Sequence, residues 1–254
     1  DAGLPLPGGA IGLSPWVDLT QSMPSFWDTK IDKVDYFPKT LGLHKIVSSS
    51  HTTEYIANAK VLADKIAQKK PRIVSHPSFT EVPRLQFYCA NEALAIPYIR
   101  QSLGDLPPIL CQVGGHEKLH DEAILFSHKA ANPQEYQLPL YATKNFDKSP
   151  FKNPTNVILE VYDDMPHAWH IFSFSKPSQI ALERCGDFIK RVITSIGGDN
   201  ASMIDLLQEE VIPYSQSSSL VSMRINKNGE VRDLDETDRD CLKWDKIGIV
   251  PKVL

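Results

Sequence analysis

Residues 106–115 have the sequence LPPILCQVGG, in which a short, mostly apolar run follows two prolines and precedes two glycines. Such a run with these boundaries is typical of a buried strand in a parallel sheet. Residues 157–162, VILEVY, form a second run of this kind, and the turn-forming sequence DDMP follows it. The two runs predict two central strands that both end in turns.

Amphipathic periodicity predicts a helix after each of these strands. Ala123, Phe126 and Ala130 lie on one helical face after the first strand, and Asp121 is expected to cap that helix. Residues 178–196 repeat apolar side chains every three or four positions. A short strand at 10–13 extends the pattern, which predicts an α/β fold with helices on both faces of a mostly parallel sheet. The character of the sequence changes after Gly197 and Gly198, and a hairpin that turns at 228–229 is expected there. Two further helices are expected at 55–66 and 203–212.

The composition is that of an ordinary globular protein, and it excludes several classes of function. The 254 residues include 27 Lys or Arg and 31 Asp or Glu, so the formal net charge is −4. A weakly acidic chain without a basic cluster is not expected to bind nucleic acid. No apolar run reaches the roughly 18 residues that a membrane-spanning helix needs. The four cysteines lack the spacing of a metal or disulfide framework and are expected to be reduced.

His116, Glu117 and His120 form the pattern H-E-x-x-H, which is the signature of zinc peptidases. That chemistry requires both histidines on one face of a helix, where they bind the metal beside the glutamate base. Gly114 and Gly115 directly precede the pattern, so the first histidine is expected to lie in a turn instead. A zinc metallopeptidase is therefore the less favoured interpretation.

The position of Glu117 in the predicted sheet favours a different use of its carboxylate. Glu117 follows the 109–113 strand, and His167 follows the 157–162 strand. Catalytic groups of open α/β sheets lie beyond the carboxyl ends of the strands. A carboxylate and then a histidine, each in a loop after a strand, match the chain order of the acid and base in an α/β-hydrolase triad.

Three segments together resemble the hormone-sensitive-lipase-like family of α/β-hydrolases. Residues 4–20, LPLPGGAIGLSPWVDLT, resemble the loop and strand that follow the family's nucleophile helix. Residues 106–122 resemble the family's acid-bearing strand and the loop after it. Residues 159–169, LEVYDDMPHAW, resemble its histidine loop. The three segments occur in the family's order along the chain.

The resemblance implies a serine carboxylesterase or lipase that needs no cofactor. His167 corresponds to the family's catalytic histidine, and Glu117 corresponds to its catalytic acid, which is more often an aspartate. Asp121 is the alternative acid, since it follows closely in the same loop region. The expected substrate is an apolar ester, whose acyl group passes to water through an acyl-serine.

The nucleophile of such an enzyme is expected outside this sequence. No G-x-S-x-G occurs, and residues 12–16, GLSPW, depart from that pattern at the last position. In the family, the serine elbow and the oxyanion hole precede the segment that resembles residues 4–20. We therefore expect an upstream segment to supply both, as a separate chain that is held non-covalently.

Four regions are expected along the chain. Residues 1–23 contain a core strand and turn, and residues 98–198 contain the hydrolase core with the acid and the histidine. Residues 24–97 are expected to form a cap, as the resemblance implies, and residues 199–254 form a carboxyl-terminal extension with the hairpin. The cap contains aromatic residues that suit an apolar ester group: Phe26, Trp27, Tyr36, Phe37, Phe79, Phe87 and Tyr88.

A third interpretation is a non-catalytic ligand-binding protein on a hydrolase scaffold, because a fold does not fix a function. An upstream sequence without a serine elbow would favour this interpretation. Stoichiometric zinc, with activity lost to a chelator, would favour the peptidase instead.

Overall fold

The computed structural model of the chain describes residues 6–18, 23–37, 103–135, 152–196, 219–235 and 237–238. These residues contain a five-stranded sheet. Its strands are β1 (Ala10–Leu13), β2 (Ile109–Gly114), β3 (Val157–Tyr162), β4 (Leu220–Ile225) and β5 (Val231–Asp233). β1, β2 and β3 confirm the three strands that were predicted from short apolar runs.

The described part of the chain also contains helices, and the two long ones pack against the sheet. The α-helices are α1 (Pro24–Trp27), α2 (His120–Ala131) and α3 (Lys176–Ile196). Two 3-10 helices span Ile31–Lys33 and Trp169–Ile171. α2 and α3 confirm two helices predicted from periodicity, whereas the segments 55–66 and 203–212 lie outside the described residues.

The strands lie in the order β1-β2-β3-β4-β5, and all neighbours are parallel except β4 and β5. The register of β2 and β3 places Gly114 beside Tyr162 at the carboxyl ends of the two strands. The loops after both strands therefore leave the sheet at the same edge. The predicted α/β fold with a mostly parallel sheet is confirmed.

Two apolar cores lie on opposite faces of the sheet. Cys111 of β2 packs in a cluster with Ile124 of α2, whereas its neighbour Leu110 packs in a second cluster with Phe188 of α3. Successive strand residues point to opposite faces, so a sheet covered on both sides needs an unbroken apolar run. β2 and β3 are buried at every position, and their two polar residues satisfy each other, since the Gln112 side chain donates a hydrogen bond to Glu160 at 2.9 Å.

The predicted hairpin at 228–229 is confirmed, and it belongs to the same sheet. β4 pairs with β3 on one side and with β5 on the other. Gly229 has a φ of +92°, a backbone conformation that side-chain-bearing residues rarely adopt, so glycine suits this turn. The division of the chain into four regions remains a prediction, because most of the expected cap lies outside the described residues.

The predicted capping role of Asp121 is wrong. α2 begins at His120, and Leu119 occupies the cap position without a side-chain hydrogen bond. Asp121 lies within the first turn, where its Oδ2 accepts a hydrogen bond from the Ser25 backbone N–H at 2.8 Å. A tertiary contact with α1 thus uses the carboxylate that local sequence reasoning assigned to the helix end.

Cys111 and Cys185 are buried free thiols, whereas Cys89 and Cys241 lie outside the described residues. Burial raises the pKa of the Cys111 thiol to about 12, which keeps it protonated and unreactive. Within the described ranges, no helix combines the length and the apolar character needed to span a membrane.

Candidate active site

Glu117 lies in the turn between β2 and α2, and its side chain is fully buried. Its Oε2 accepts hydrogen bonds from Ser14 Oγ at 2.7 Å and from the Gly114 backbone N–H at 3.0 Å. The end of β2 therefore binds the carboxylate of the turn that follows it. The second oxygen, Oε1, has no hydrogen-bond partner among the described residues.

His167 lies in the loop between β3 and the 3-10 helix that begins at Trp169. Its backbone N–H donates to Asp35 Oδ1 at 3.1 Å. The next backbone N–H, that of Ala168, donates to Ser14 Oγ at 2.9 Å. Two side chains that are distant in sequence thus bind the backbone of the histidine loop.

The fold brings Glu117 and His167 together. Glu117 Oε1 lies 3.9 Å from His167 Nδ1. This separation exceeds a hydrogen bond, yet neither atom has another hydrogen-bond partner in the described part of the chain. Contacts between catalytic groups are often long in unliganded enzymes and tighten when the substrate binds. The geometry is therefore that of a carboxylate able to orient an imidazole.

Burial raises the pKa of Glu117 above its ordinary value, because a carboxylate loses its hydration in the protein interior. The neighbouring His167 ring, the Ser14 hydroxyl and the Gly114 N–H oppose this shift, since each favours the charged form. A buried carboxylate of this kind stabilises a positive charge on the adjacent imidazole, as the acid of a triad does.

The zinc-peptidase interpretation does not fit the geometry. His116 lies in the turn before α2, half exposed, with its Nδ1 3.2 Å from Asp164 Oδ1. His120 is the first residue of α2, so the two histidines do not share a helix face. The described residues contain no group of three or more side chains that could hold a metal ion.

Asp121, the alternative acid, makes other contacts. Its Oδ2 accepts the hydrogen bond from the Ser25 N–H, and its Oδ1 lies 2.8 Å from His120 Nδ1. Of the two carboxylates, it is Glu117 that faces His167.

Comparisons with known proteins place this site in a wider context. No protein-family model matches the chain. An acetyl-hydrolase of Streptomyces hygroscopicus is 27% identical over 194 residues, which are 75% of this chain and 45% of that protein. The crystal structure of an esterase/lipase from an uncultured bacterium is 23% identical, with a TM-score of 0.43. The match covers 75% of this chain and 45% of that protein's chain. The crystal structure of an esterase from the bacterial hormone-sensitive lipase (HSL) family is 26% identical, with a TM-score of 0.39. That match covers 75% of this chain and 46% of that protein's chain.

The resemblance predicted from three segments is thereby confirmed. The chain is similar over three quarters of its length to an acetyl-hydrolase, and one of the solved structures that it resembles is an esterase of the bacterial hormone-sensitive lipase family. The chain spans a little under half the length of the relatives it matches.

Two aromatic rings lie beside His167. The ring centroid of Phe37 lies 4.8 Å from that of His167, and the centroid of Tyr36 lies 6.1 Å away. Phe172 packs against Tyr36 at 6.3 Å. Phe37 is itself buried in a cluster with Phe26 and Leu119, whereas Tyr36 is half exposed beside the imidazole. Three aromatic residues of the predicted cap lie outside the described residues: Phe79, Phe87 and Tyr88.

The sequence analysis missed Asp35, and it assigned Ser14 to a structural turn instead of a nucleophile, because the required pattern fails there. Asp35 Oδ2 accepts a hydrogen bond from the Lys118 backbone N–H at 2.8 Å, and its Oδ1 accepts the one from His167. Nothing local distinguishes Asp35 from an ordinary turn residue, because it also accepts the Phe37 N–H two residues on. Its tertiary partners were not visible without the fold.

Proposed function

We propose that this chain provides the acid and the histidine of a serine carboxylesterase, with Glu117 and His167 in those roles. The observation that supports the proposal most is the 3.9 Å approach of Glu117 Oε1 to His167 Nδ1, two atoms without another hydrogen-bond partner among the described residues. Both residues follow adjacent parallel strands, where open α/β enzymes place catalytic groups. The relationship to esterases favours the same class of reaction.

The proposed reaction is acyl transfer to water through a covalent serine ester. A serine from an upstream segment attacks the ester carbonyl, and His167 accepts the serine proton. The imidazolium then protonates the leaving alcohol, and water attacks the acyl-serine with His167 again as the base. Glu117 stays ionised throughout, orients the imidazole and stabilises its positive charge. Backbone N–H groups of the upstream segment stabilise the oxyanion.

An apolar ester is the substrate class that the surroundings of His167 favour. The rings of Tyr36 and Phe37 lie beside the imidazole, and the ring of Phe172 packs against Tyr36. Burial of an apolar acyl or alcohol group against such rings contributes about 25 cal/mol for each Å² removed from water. The same rings offer no charged partner for a polar substrate.

We further propose that the upstream segment is a separate polypeptide that pairs with β1. Among the described residues, β1 has a hydrogen-bonded neighbour on one side only. An open strand edge is a template for another strand, and native proteins cover such edges. A second polypeptide on a denaturing gel, bound to the 28.4 kDa chain in a native mass measurement, would support this arrangement. One longer polypeptide would show that the segment is joined covalently, and a bare 28.4 kDa species would contradict both versions.

Hydrolysis of p-nitrophenyl acetate and butyrate by the complete enzyme tests the assignment of acid and base. His167→Ala is expected to lower kcat by about 10³-fold or more, because a triad without its base loses most of its rate enhancement. Glu117→Gln is expected to cost less than His167→Ala, since a neutral amide still fills the space.

Asp121→Asn is the matched control, because it neutralises a second buried carboxylate only four positions away. It is expected to cost less than Glu117→Gln. A larger loss in Asp121→Asn would show that the acid assignment is wrong. Wild-type enzyme without turnover would favour the ligand-binding interpretation, and turnover that a chelator abolishes would favour zinc.

A further inference from the structure

We infer that Ser14 and Asp35 are positioning residues that hold the loop of Glu117 against the loop of His167. This inference rests on the proposed function, because it is the Glu117–His167 pair that the two side chains position. Each side chain bonds to both loops, and neither comes from either loop. We refer to the two sets of contacts as the Ser14 bridge and the Asp35 bridge.

The Ser14 bridge uses a single hydroxyl. Ser14 Oγ donates to Glu117 Oε2 at 2.7 Å and accepts the Ala168 N–H at 2.9 Å. Ser14 is buried, so these hydrogen bonds are shielded from water. The hydroxyl thus connects the side chain of the proposed acid to the residue after the proposed base.

The Asp35 bridge uses both oxygens of one carboxylate. Oδ1 accepts the His167 N–H at 3.1 Å, and Oδ2 accepts the Lys118 N–H at 2.8 Å. Lys118 directly follows Glu117, so this bridge connects the backbone beside the acid to the backbone of the base. A buried carboxylate that accepts backbone N–H groups makes strong, charge-assisted hydrogen bonds.

The Ser14 bridge also determines which carboxylate oxygen faces the imidazole. Ser14 and Gly114 both donate to Glu117 Oε2, which leaves Oε1 as the oxygen opposite His167 Nδ1. Without the hydroxyl, the Gly114 N–H would be the one remaining hydrogen-bond donor to this carboxylate among the described residues. The bridge therefore acts on the orientation of the acid as well as on the distance between the loops.

Backbone conformation supports a special role for the Ser14 bridge. Ser14 has a φ of +46° and Ala168 has a φ of +51°, so both residues joined by the bridge adopt the left-handed region without being glycine. Such conformations are unfavourable and persist where surrounding contacts impose them, often beside functional groups. The hydrogen bond from the Ala168 N–H to Ser14 Oγ joins these two residues, and the Ser14 N–H also donates to the Gln112 carbonyl oxygen at 2.7 Å.

Steady-state kinetics of the complete enzyme tests the catalytic consequence. Ser14→Ala and Asp35→Ala are each expected to lower kcat roughly 10- to 100-fold, since displacement of a catalytic group by about 1 Å costs up to 10²-fold. KM should change less than about 2-fold, because neither residue is assigned a contact with the substrate. Asp35→Asn keeps one acceptor oxygen and should fall between Asp35→Ala and the wild type.

Two control variants lose comparable contacts elsewhere. Ser127→Ala removes a buried hydroxyl that donates to Ala123 O within α2. Asp28→Asn alters a carboxylate that accepts the Lys30 N–H, the same two-residue pattern that Asp35 makes with Phe37. Neither variant is expected to change kcat more than about 2-fold. A loss in the controls equal to that in Ser14→Ala or Asp35→Ala would overturn the inference.

Ser14→Gly separates positioning from simple backbone strain. Glycine tolerates the left-handed conformation but lacks the hydroxyl, so this variant should be at least as stable as Ser14→Ala and equally slow. Wild-type kcat in Ser14→Gly would overturn the Ser14 bridge. Should Ser14→Ala fail to fold, Ser14→Gly provides the comparison.

Amide hydrogen exchange of the complete enzyme tests the bridges independently of catalysis. Ser14→Ala or Ser14→Gly should speed exchange at Ala168, whereas Asp35→Ala should speed exchange at His167 and Lys118. Unchanged protection at these amides would overturn the bridges, whatever the kinetics show. Faster exchange in an enzyme whose wild type hydrolyses no ester would refute the proposed function while leaving the bridges in place.

Discussion

Replacement of Gly114 by alanine tests the close approach on which the site depends. A Cβ atom at Gly114 would lie 2.2 Å from the carbonyl oxygen of Met165 and 2.9 Å from its carbonyl carbon. It would also lie 2.9 Å from Glu117 Oε2. Met165 is two residues before His167, so the added methyl group presses on both sides of the proposed acid–base pair.

The size of the required movement follows from these distances. Ordinary van der Waals contact begins at 3.4 Å, so the Met165 carbonyl must withdraw by about 1.2 Å (3.4 Å less 2.2 Å). A backbone carbonyl cannot rotate away as a flexible side chain can, and the loop must move with it. Overpacking of this kind typically costs about 1–3 kcal/mol of stability. A displacement of that size at His167 is expected to lower kcat about 10²-fold.

Urea unfolding and ester hydrolysis of the complete enzyme measure the two effects. Gly186→Ala is the matched control, because Gly186 lies within α3 and an added Cβ would meet nothing within 4 Å. Alanine is the better helix former, so Gly186→Ala should raise the free energy of unfolding by about 0.5–1 kcal/mol. The same chemical change is thus expected to have opposite effects on stability at the two positions.

Wild-type stability and wild-type kcat in Gly114→Ala would refute this reasoning. That result would mean that the loop of His167 moves freely against β2 and that the close contact is not needed. A loss of stability with unchanged kcat would mean that the loop adjusts without displacing the imidazole. It would then be wrong that Gly114 sets the separation of Glu117 and His167.

Two further predictions concern buried carboxylates. Burial is the main influence that raises the pKa of Glu122 well above its ordinary value. The folded protein therefore favours the protonated carboxyl, and the stability gained from that proton is fully present in acid and is lost as pH rises through the raised pKa. Glu122→Gln should therefore match the wild type near pH 4 and unfold at higher urea concentration at pH 7, with exposed Glu135→Gln unchanged at both. Arg184 Nε donates to the buried Glu160 at 2.6 Å, so Arg184→Met should cost about 2 kcal/mol, and Glu160→Gln in the same chain should restore part of it.

The sheet could be predicted because the sequence of each central strand shows where the strand lies. β2 and β3 are buried on both faces, so nearly every position in them must be apolar, and the bounding prolines and glycines mark their ends. α3 was equally clear, because residues such as Cys185 and Phe188 recur at helical spacing on the face that packs on the sheet. In both cases the pattern along the chain is a direct consequence of what the element touches.

The polar contacts of the site could not be predicted in the same way. Asp35 contacts the N–H of His167, which is 132 residues away, and Ser14 contacts that of Ala168, 154 residues away. Polar residues in turns satisfy several local roles equally well, so neither position signals its tertiary partner. Asp121 is a further example. Its position before a helical pattern predicted a local capping role, whereas its carboxylate accepts a hydrogen bond from the distant N–H of Ser25.

The choice of glutamate at position 117 has a physical consequence for the rest of the site. The resemblance implies an aspartate more often at this position, and glutamate carries its carboxylate one methylene further from the backbone. The extra rotatable bond makes the carboxylate harder to hold in one orientation, since each frozen side-chain torsion costs conformational entropy. Hydrogen bonds from Ser14 and Gly114 to the same oxygen offset that cost and direct the other oxygen toward His167. The position of the Glu117 carboxylate therefore depends on the length of the glutamate side chain and on the Ser14 hydroxyl together.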